Sequence, residues 1–170
     1  MADPLARLFA GGRHVRLLVA GRPPVGLPVP DTSDFERVVW LGWPGQMAAG
    51  GVVAHPQRLP FIEAVFDKAL VTTPLPAATA RAQLRELWRI LAPAGMAVLV
   101  VKARRRWQWL APGWVQAKLE PILADAMYEI LDWQVAGLPD RYHLILVGKR
   151  DGLRPALIGR VDELLAPSTV

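Results

Sequence analysis

The segment Gly95–Ala103, GMAVLVVKA, most constrains what this chain can fold into. It is an apolar run with three valines, of the kind that forms a strand buried on both faces. Just before it, AATARAQLRELWRIL places apolar residues at 80, 84, 87, 88 and 91, the spacing of one buried helical face. Pro93–Gly95 is expected to end that helix, with Gly95 in the turn into the strand. A helix feeding a doubly buried strand belongs to an α/β sheet with helices on both sides.

Other segments extend the sheet. His14–Gly21, Glu36–Gly42, Gly51–His55 and Phe66–Thr72 are short apolar runs bounded by Gly or Pro and read as strands. YEILDWQVAG and YHLILVGKR read as two last strands joined through LPDR into an antiparallel hairpin. GWVQAKLEPILADA reads as a helix that Pro121 kinks or divides. The division expected is an α/β domain over 1–150 and an amphipathic tail or docked helix over 151–170.

The connections in the first half are short. RPPVGLPVPDTSDFE carries four prolines and leaves room only for a turn near DTSDFE, capped by Asp31 or Thr32. WPGQMAAGG after the second strand is equally short. Full crossover helices do not fit. One sheet face is therefore expected to be thinly covered, offering apolar surface to a second copy or a protein partner.

At 170 residues, 52% apolar and 21% charged, the chain is long enough for one domain with a substantial core. No run of about 18 apolar residues suggests a membrane span, and the first residues do not resemble a secretory signal. There is no cysteine, hence no disulfide and no thiolate metal site. Cytoplasmic residence is the expectation. A net charge of +5 and a pI near 10.2 permit contact with nucleic acid without favouring it.

From Leu59 to Arg150 the stretches HPQRLPF, FDKALVT, ELWRILAPAG and MAVLVV occur in the order seen in class I S-adenosylmethionine-dependent methyltransferases, and the chain resembles that family in its type 11-like, small-molecule branch. The resemblance implies a Rossmann-like sheet, mostly parallel with a terminal antiparallel hairpin, and S-adenosylmethionine as cofactor. It also assigns family positions to Gly21, Arg22 and Gly26 in the loop after the first strand, to Gly42 after the second, and to His55 before LPF. In the family the first loop is a glycine-rich cradle of free N–H groups. Here Pro23 and Pro24 fill it, and proline donates no N–H. The family's ribose-binding acid is replaced by Gly42 and Trp43, and the acid before LPF by His55. The cofactor half is expected to be eroded, making the protein a pseudoenzyme.

Among single residues, Asp67 is expected to orient a loop or cap a turn. Glu86 and Arg89 read as a solvated helical face with a local ion pair. Trp88 reads as core, and His14 and His143 as structural. Three scattered histidines do not make a metal site. Arg104, Arg105 and Arg106, with Trp107 and Trp109, follow the strongest strand, where such sheets place substrate loops. They suit a phosphate, carboxylate or stacked ring, or else a solvated edge and dimer contact.

Three functions remain, in this order. The first is a binding or partner subunit with a lost or weak cofactor site. The second is a working methyltransferase of a small molecule with a divergent pocket built on Arg22 and His55. The third is a module that binds RNA or another anionic ligand through Arg104–Trp109.

Overall fold

The computed structural model describes residues 4–10, 12–27, 31–45, 51–103, 114–136 and 141–151. The tail from 152 onward and the segment 104–113 lie outside them.

Seven strands form one mixed sheet in the order β3-β2-β1-β4-β5-β7-β6. They are β1 (Arg16–Ala20), β2 (Arg37–Gly42), β3 (Val52–Val53), β4 (Phe66–Thr72), β5 (Leu91–Lys102), β6 (Tyr128–Ala136) and β7 (Tyr142–Lys149). The first five pair in parallel, while β7 runs antiparallel to both β5 and β6. The sheet is thus Rossmann-like and mostly parallel, with the terminal hairpin that the sequence implies. Among the described residues no helix is long and apolar enough to cross a membrane.

Helix α2 (Ala80–Ile90) connects β4 to β5, and α3 (Gln116–Asp125) precedes β6. Ala80, Leu84 and Leu87 of α2 are buried as their spacing requires. Pro121 lies inside α3 without dividing it. Together α2 and α3 cover one sheet face, packing against Leu18, Ala69, Leu99 and Ile145.

The other face is covered differently from expectation. A six-residue helix, α1 (Pro4–Phe9), inserts Leu5 and Leu8 against Leu17, Val19, Val98 and Leu146. Lys68 Nζ donates to Ala10 O at 2.5 Å, tying the residue just after the helix to the sheet. The sequence showed only a brief apolar patch there. Phe35 completes this cover and meets Phe9 edge to face at 6.0 Å.

Among the described residues no helix lies between β1 and β2, β2 and β3, or β3 and β4. The turn expected at DTSDFE is present, with Asp31 accepting the Ser33 amide at 2.9 Å. Trp40 on β2 is 40% exposed and Val53 on β3 is 58% exposed, so the β3 side of the sheet is the thinly covered part.

Gly95 corrects one expectation. The strand begins at Leu91, directly after α2, and the prolyl turn lies inside it. Between the pairs Phe66↔Leu91 and Lys68↔Met96, β4 advances two residues and β5 five. Ala94, not Gly95, takes the left-handed conformation at φ 58. Gly95 is needed for a close approach instead, because a Cβ there would lie 2.7 Å from Ala92 O.

Candidate functional site

In a sheet of order 3-2-1-4-5 the connections run outward in opposite directions from β1 and β4. A crevice therefore opens at their carboxyl ends, and open α/β sheets bind ligands there. Gly21 leaves β1 at this point with φ +78, its amide donating to Leu41 O at 2.8 Å. A Cβ on Gly21 would overlap Thr72 O and lie 2.6 Å from Trp43 Nε1.

Trp43 is the residue that sequence reasoning noted only for what it replaces. It follows β2, crosses the end of β1 and donates from Nε1 to Thr72 O at 2.6 Å. Only 6% of it is exposed. The bare Cα of Gly21 makes room for the crossing. The indole is therefore seated over the switch point as part of the core.

The other family positions are scattered around it. Arg22 is exposed and makes no hydrogen bond or ion pair with a described residue. Gly26, at φ +86, occupies the third position of a turn closed by Leu27 N to Pro24 O at 3.1 Å, where a type II turn needs a left-handed residue. Gly42 is buried at the end of β2 and accepts from the Ala54 amide at 3.1 Å. His55 is exposed in a tight turn, bridged to Arg58, its Nδ1 accepting from the Gln57 amide at 3.3 Å. Arg104, Arg105, Arg106, Trp107 and Trp109 lie outside the described residues.

The base of that last segment is fixed. Trp114 donates from its amide to Lys102 O and from Nε1 to Leu75 O, both at 2.8 Å. Trp114 O meets His143 Nε2 at 3.0 Å, while Trp133 Nε1 donates to His143 Nδ1 at 3.0 Å. Since Nδ1 accepts, Nε2 carries the proton and the ring is neutral. Burial holds its pKa below the usual value, with the Trp114 carbonyl working the other way.

The Glu86–Arg89 pair also differs from expectation. Arg89 binds Glu86 through Nε at 2.9 Å and Nη2 at 2.6 Å, and also donates to Phe61 O and Leu59 O. Glu86 accepts the Leu59 amide at 2.8 Å. The two residues therefore clamp the LPF loop to α2. Asp67 accepts the Arg16 amide at 2.8 Å and its Nε at 3.1 Å, steadying the start of β1.

Arg89's hydrogen bonds hold the Glu86 carboxyl below its usual range, against burial and with help from the Leu59 amide. A depressed carboxyl stabilises the fold fully above its unfolded pKa and loses that contribution as pH falls through the folded one. Arg89→Met should thus cost about 2–3 kcal/mol at pH 7 in urea unfolding, since charged hydrogen bonds to one carboxylate and two carbonyls go. The gap to the unaltered chain should narrow toward pH 3. A gap independent of pH would show that the carboxylate is not the partner that matters.

Among the described residues no three His, Asp or Glu side chains are placed to hold a metal. No family model matches the chain, and no curated protein matches it. Solved structures do. A putative methyltransferase from Bacillus halodurans superposes with a TM-score of 0.67 at 11% identity, over 86% of this chain and 99% of that one. The Burkholderia thailandensis 1,6-didemethyltoxoflavin-N1-methyltransferase, with S-adenosylhomocysteine bound, gives 0.62 at 17% identity, over 86% and 75%. A putative methyltransferase from Haloferax volcanii, in complex with the Trm112 methyltransferase activator, gives 0.57 at 16% identity, over 86% and 87%.

The fold is that of a class I methyltransferase. Among the described residues, β1, β2 and β4 flank the switch point, and no helix joins β1 to β2, β2 to β3 or β3 to β4. The Trp43 indole lies across that switch point, held to Thr72 O.

Proposed function

We propose that this chain is a non-catalytic or weakly active binding subunit built on a methyltransferase fold. Fold alone does not assign activity, so the reading rests on the site. The observation that carries it is the Trp43 indole, hydrogen-bonded to Thr72 O across Gly21. A nucleoside cofactor seated there must displace a buried aromatic ring and leave Thr72 O without its donor. The surrounding loop adds to the case. Pro23 and Pro24 supply no amide donors, and Gly42 offers no carboxylate to a ribose. A protein partner suits the exposed Trp40 and Val53, and the Haloferax volcanii neighbour is itself in a complex with an activator.

Isothermal titration with S-adenosylmethionine and S-adenosylhomocysteine should show no micromolar binding by the isolated chain. Saturable micromolar binding of either compound would overturn the proposal. It would favour the second reading, an active methyltransferase of a small molecule. That reading has one observation of its own: the exposed guanidinium of Arg22 stands at the carboxyl end of β1, free among the described residues to meet a carboxylate.

A further inference from the structure

We infer that His143 is a proton-operated latch, which ties Trp133 of the edge strand β6 to the chain ahead of α3 and releases Trp133 when its ring gains a second proton. The inference goes beyond the reading above and does not depend on Trp43. His143 lies on β7, only 6% exposed, and its two ring nitrogens serve two different elements. Nδ1 accepts from Trp133 Nε1 at 3.0 Å, the two rings meeting edge to face at 5.3 Å. Nε2 donates to Trp114 O, just ahead of α3, at 3.0 Å. Strand β6 is the last in the sheet, so its indole is held from one side only.

The latch follows from the supply of donors. An indole N–H only donates, and a charged imidazole has no acceptor on either nitrogen. A second proton on His143 therefore sets donor against donor at Trp133, and turning the ring exchanges one N–H for the other without relief. The Trp114 side responds in the opposite sense, because a charged ring bonds that carbonyl more strongly. Protonation thus frees the indole of β6 and keeps the hold on Trp114.

The charges around the ring favour the closed form. By the register of the sheet, Lys102 on β5 and Glu129 and Asp132 on β6 point to the opposite face. Lys118 and Glu120 of α3 are exposed. Lys149 shares the face of His143 but sits at the far end of β7, on Leu91 O. Among the described residues that leaves Arg141, whose charge opposes a second one nearby. Burial lowers the ring's pKa below the usual 6.5, against the Trp114 carbonyl and with help from Arg141. The unfolded chain takes the proton first, so this contribution to stability is complete above pH 6.5 and declines as pH falls below it. The latch opens over that same lower range.

Nitrogen-15 NMR of the full chain, titrated from neutral pH into the acid range, tests the latch. The Trp133 indole N–H signal should move with the same midpoint as the His143 ring, below pH 6.5. In His143→Gln, whose amide oxygen can still accept, the Trp133 signal should keep one position throughout. In Trp133→Phe the His143 midpoint should rise by about half a pH unit or more, since the donor that favoured the neutral ring is gone. A Trp133 signal that ignores the His143 titration overturns the inference. So does one that still moves with pH in folded His143→Gln, or an unchanged His143 midpoint in folded Trp133→Phe. If neither variant folds, the two titration curves of the unaltered chain decide the question: coincident midpoints support the latch and separate ones end it.

Discussion

Gly21→Ala should cost more than about 4 kcal/mol of folding stability, enough to leave the chain largely unfolded or insoluble. Two penalties combine at this position. The left-handed backbone at φ +78 costs an alanine about 1–2 kcal/mol by itself. The added Cβ would also overlap Thr72 O, a backbone atom of the central strand, and press on Trp43 Nε1 at 2.6 Å. Neither neighbour is a flexible side-chain end, so relief requires parting β1 from β4 or expelling the indole. Gly26→Ala is the matched comparison. Its φ of +86 is similar, but nothing lies within 4 Å of the added Cβ, so only the backbone penalty applies. Urea unfolding of the two variants should therefore separate them by at least about 2 kcal/mol. Equal midpoints would mean that Gly21 serves its loop rather than the Trp43 crossing.

That comparison shows what could be read from the sequence. Gly21 and Gly26 look alike as loop glycines, yet only one is packed against a neighbouring strand. The difference lies in Thr72, distant in the chain, and no local pattern reports it. The same limit applies to Trp43, where the sequence marks a missing carboxylate but not an indole reaching 29 residues ahead to Thr72 O. Glu86 and Arg89 look like an ordinary i,i+3 pair, and their contacts to Leu59 and Phe61 span 27 to 30 residues. Helix α1 has only six residues and is held by Leu8 in the core and Lys68 on Ala10 O, both tertiary effects. What was legible was periodic. The doubly buried β5, the amphipathic α2 and the alternation that sets the sheet all carry their signal within a dozen residues. Gly95 shows how such a signal misleads: a glycine after a helix suggests a positive φ, but Ala94 takes it, while Gly95 passes close to Ala92 O.

Trp43→Ala should lower stability by about 3–5 kcal/mol and still not create a nucleoside site. The stability loss follows from burial, since the ring is 6% exposed and its removal leaves a cavity beside Gly21 and strips Thr72 O of its donor. The functional expectation separates two barriers. If the indole alone excluded the cofactor, removing it would admit S-adenosylhomocysteine and raise the melting temperature in proportion to ligand. Space, however, is only the first requirement. Affinity for a nucleoside comes from donors and acceptors that match it, and on the reading proposed above Pro23 and Pro24 offer no amide donors and Gly42 no carboxylate. His55, turned to solvent and engaged with the Gln57 amide, does not make up that deficit. Enlarging the crevice should therefore yield a less stable protein whose melting stays indifferent to S-adenosylhomocysteine. A melting rise with that ligand in Trp43→Ala would show the opposite: that the loop retains a competent grip and that one side chain holds the site closed.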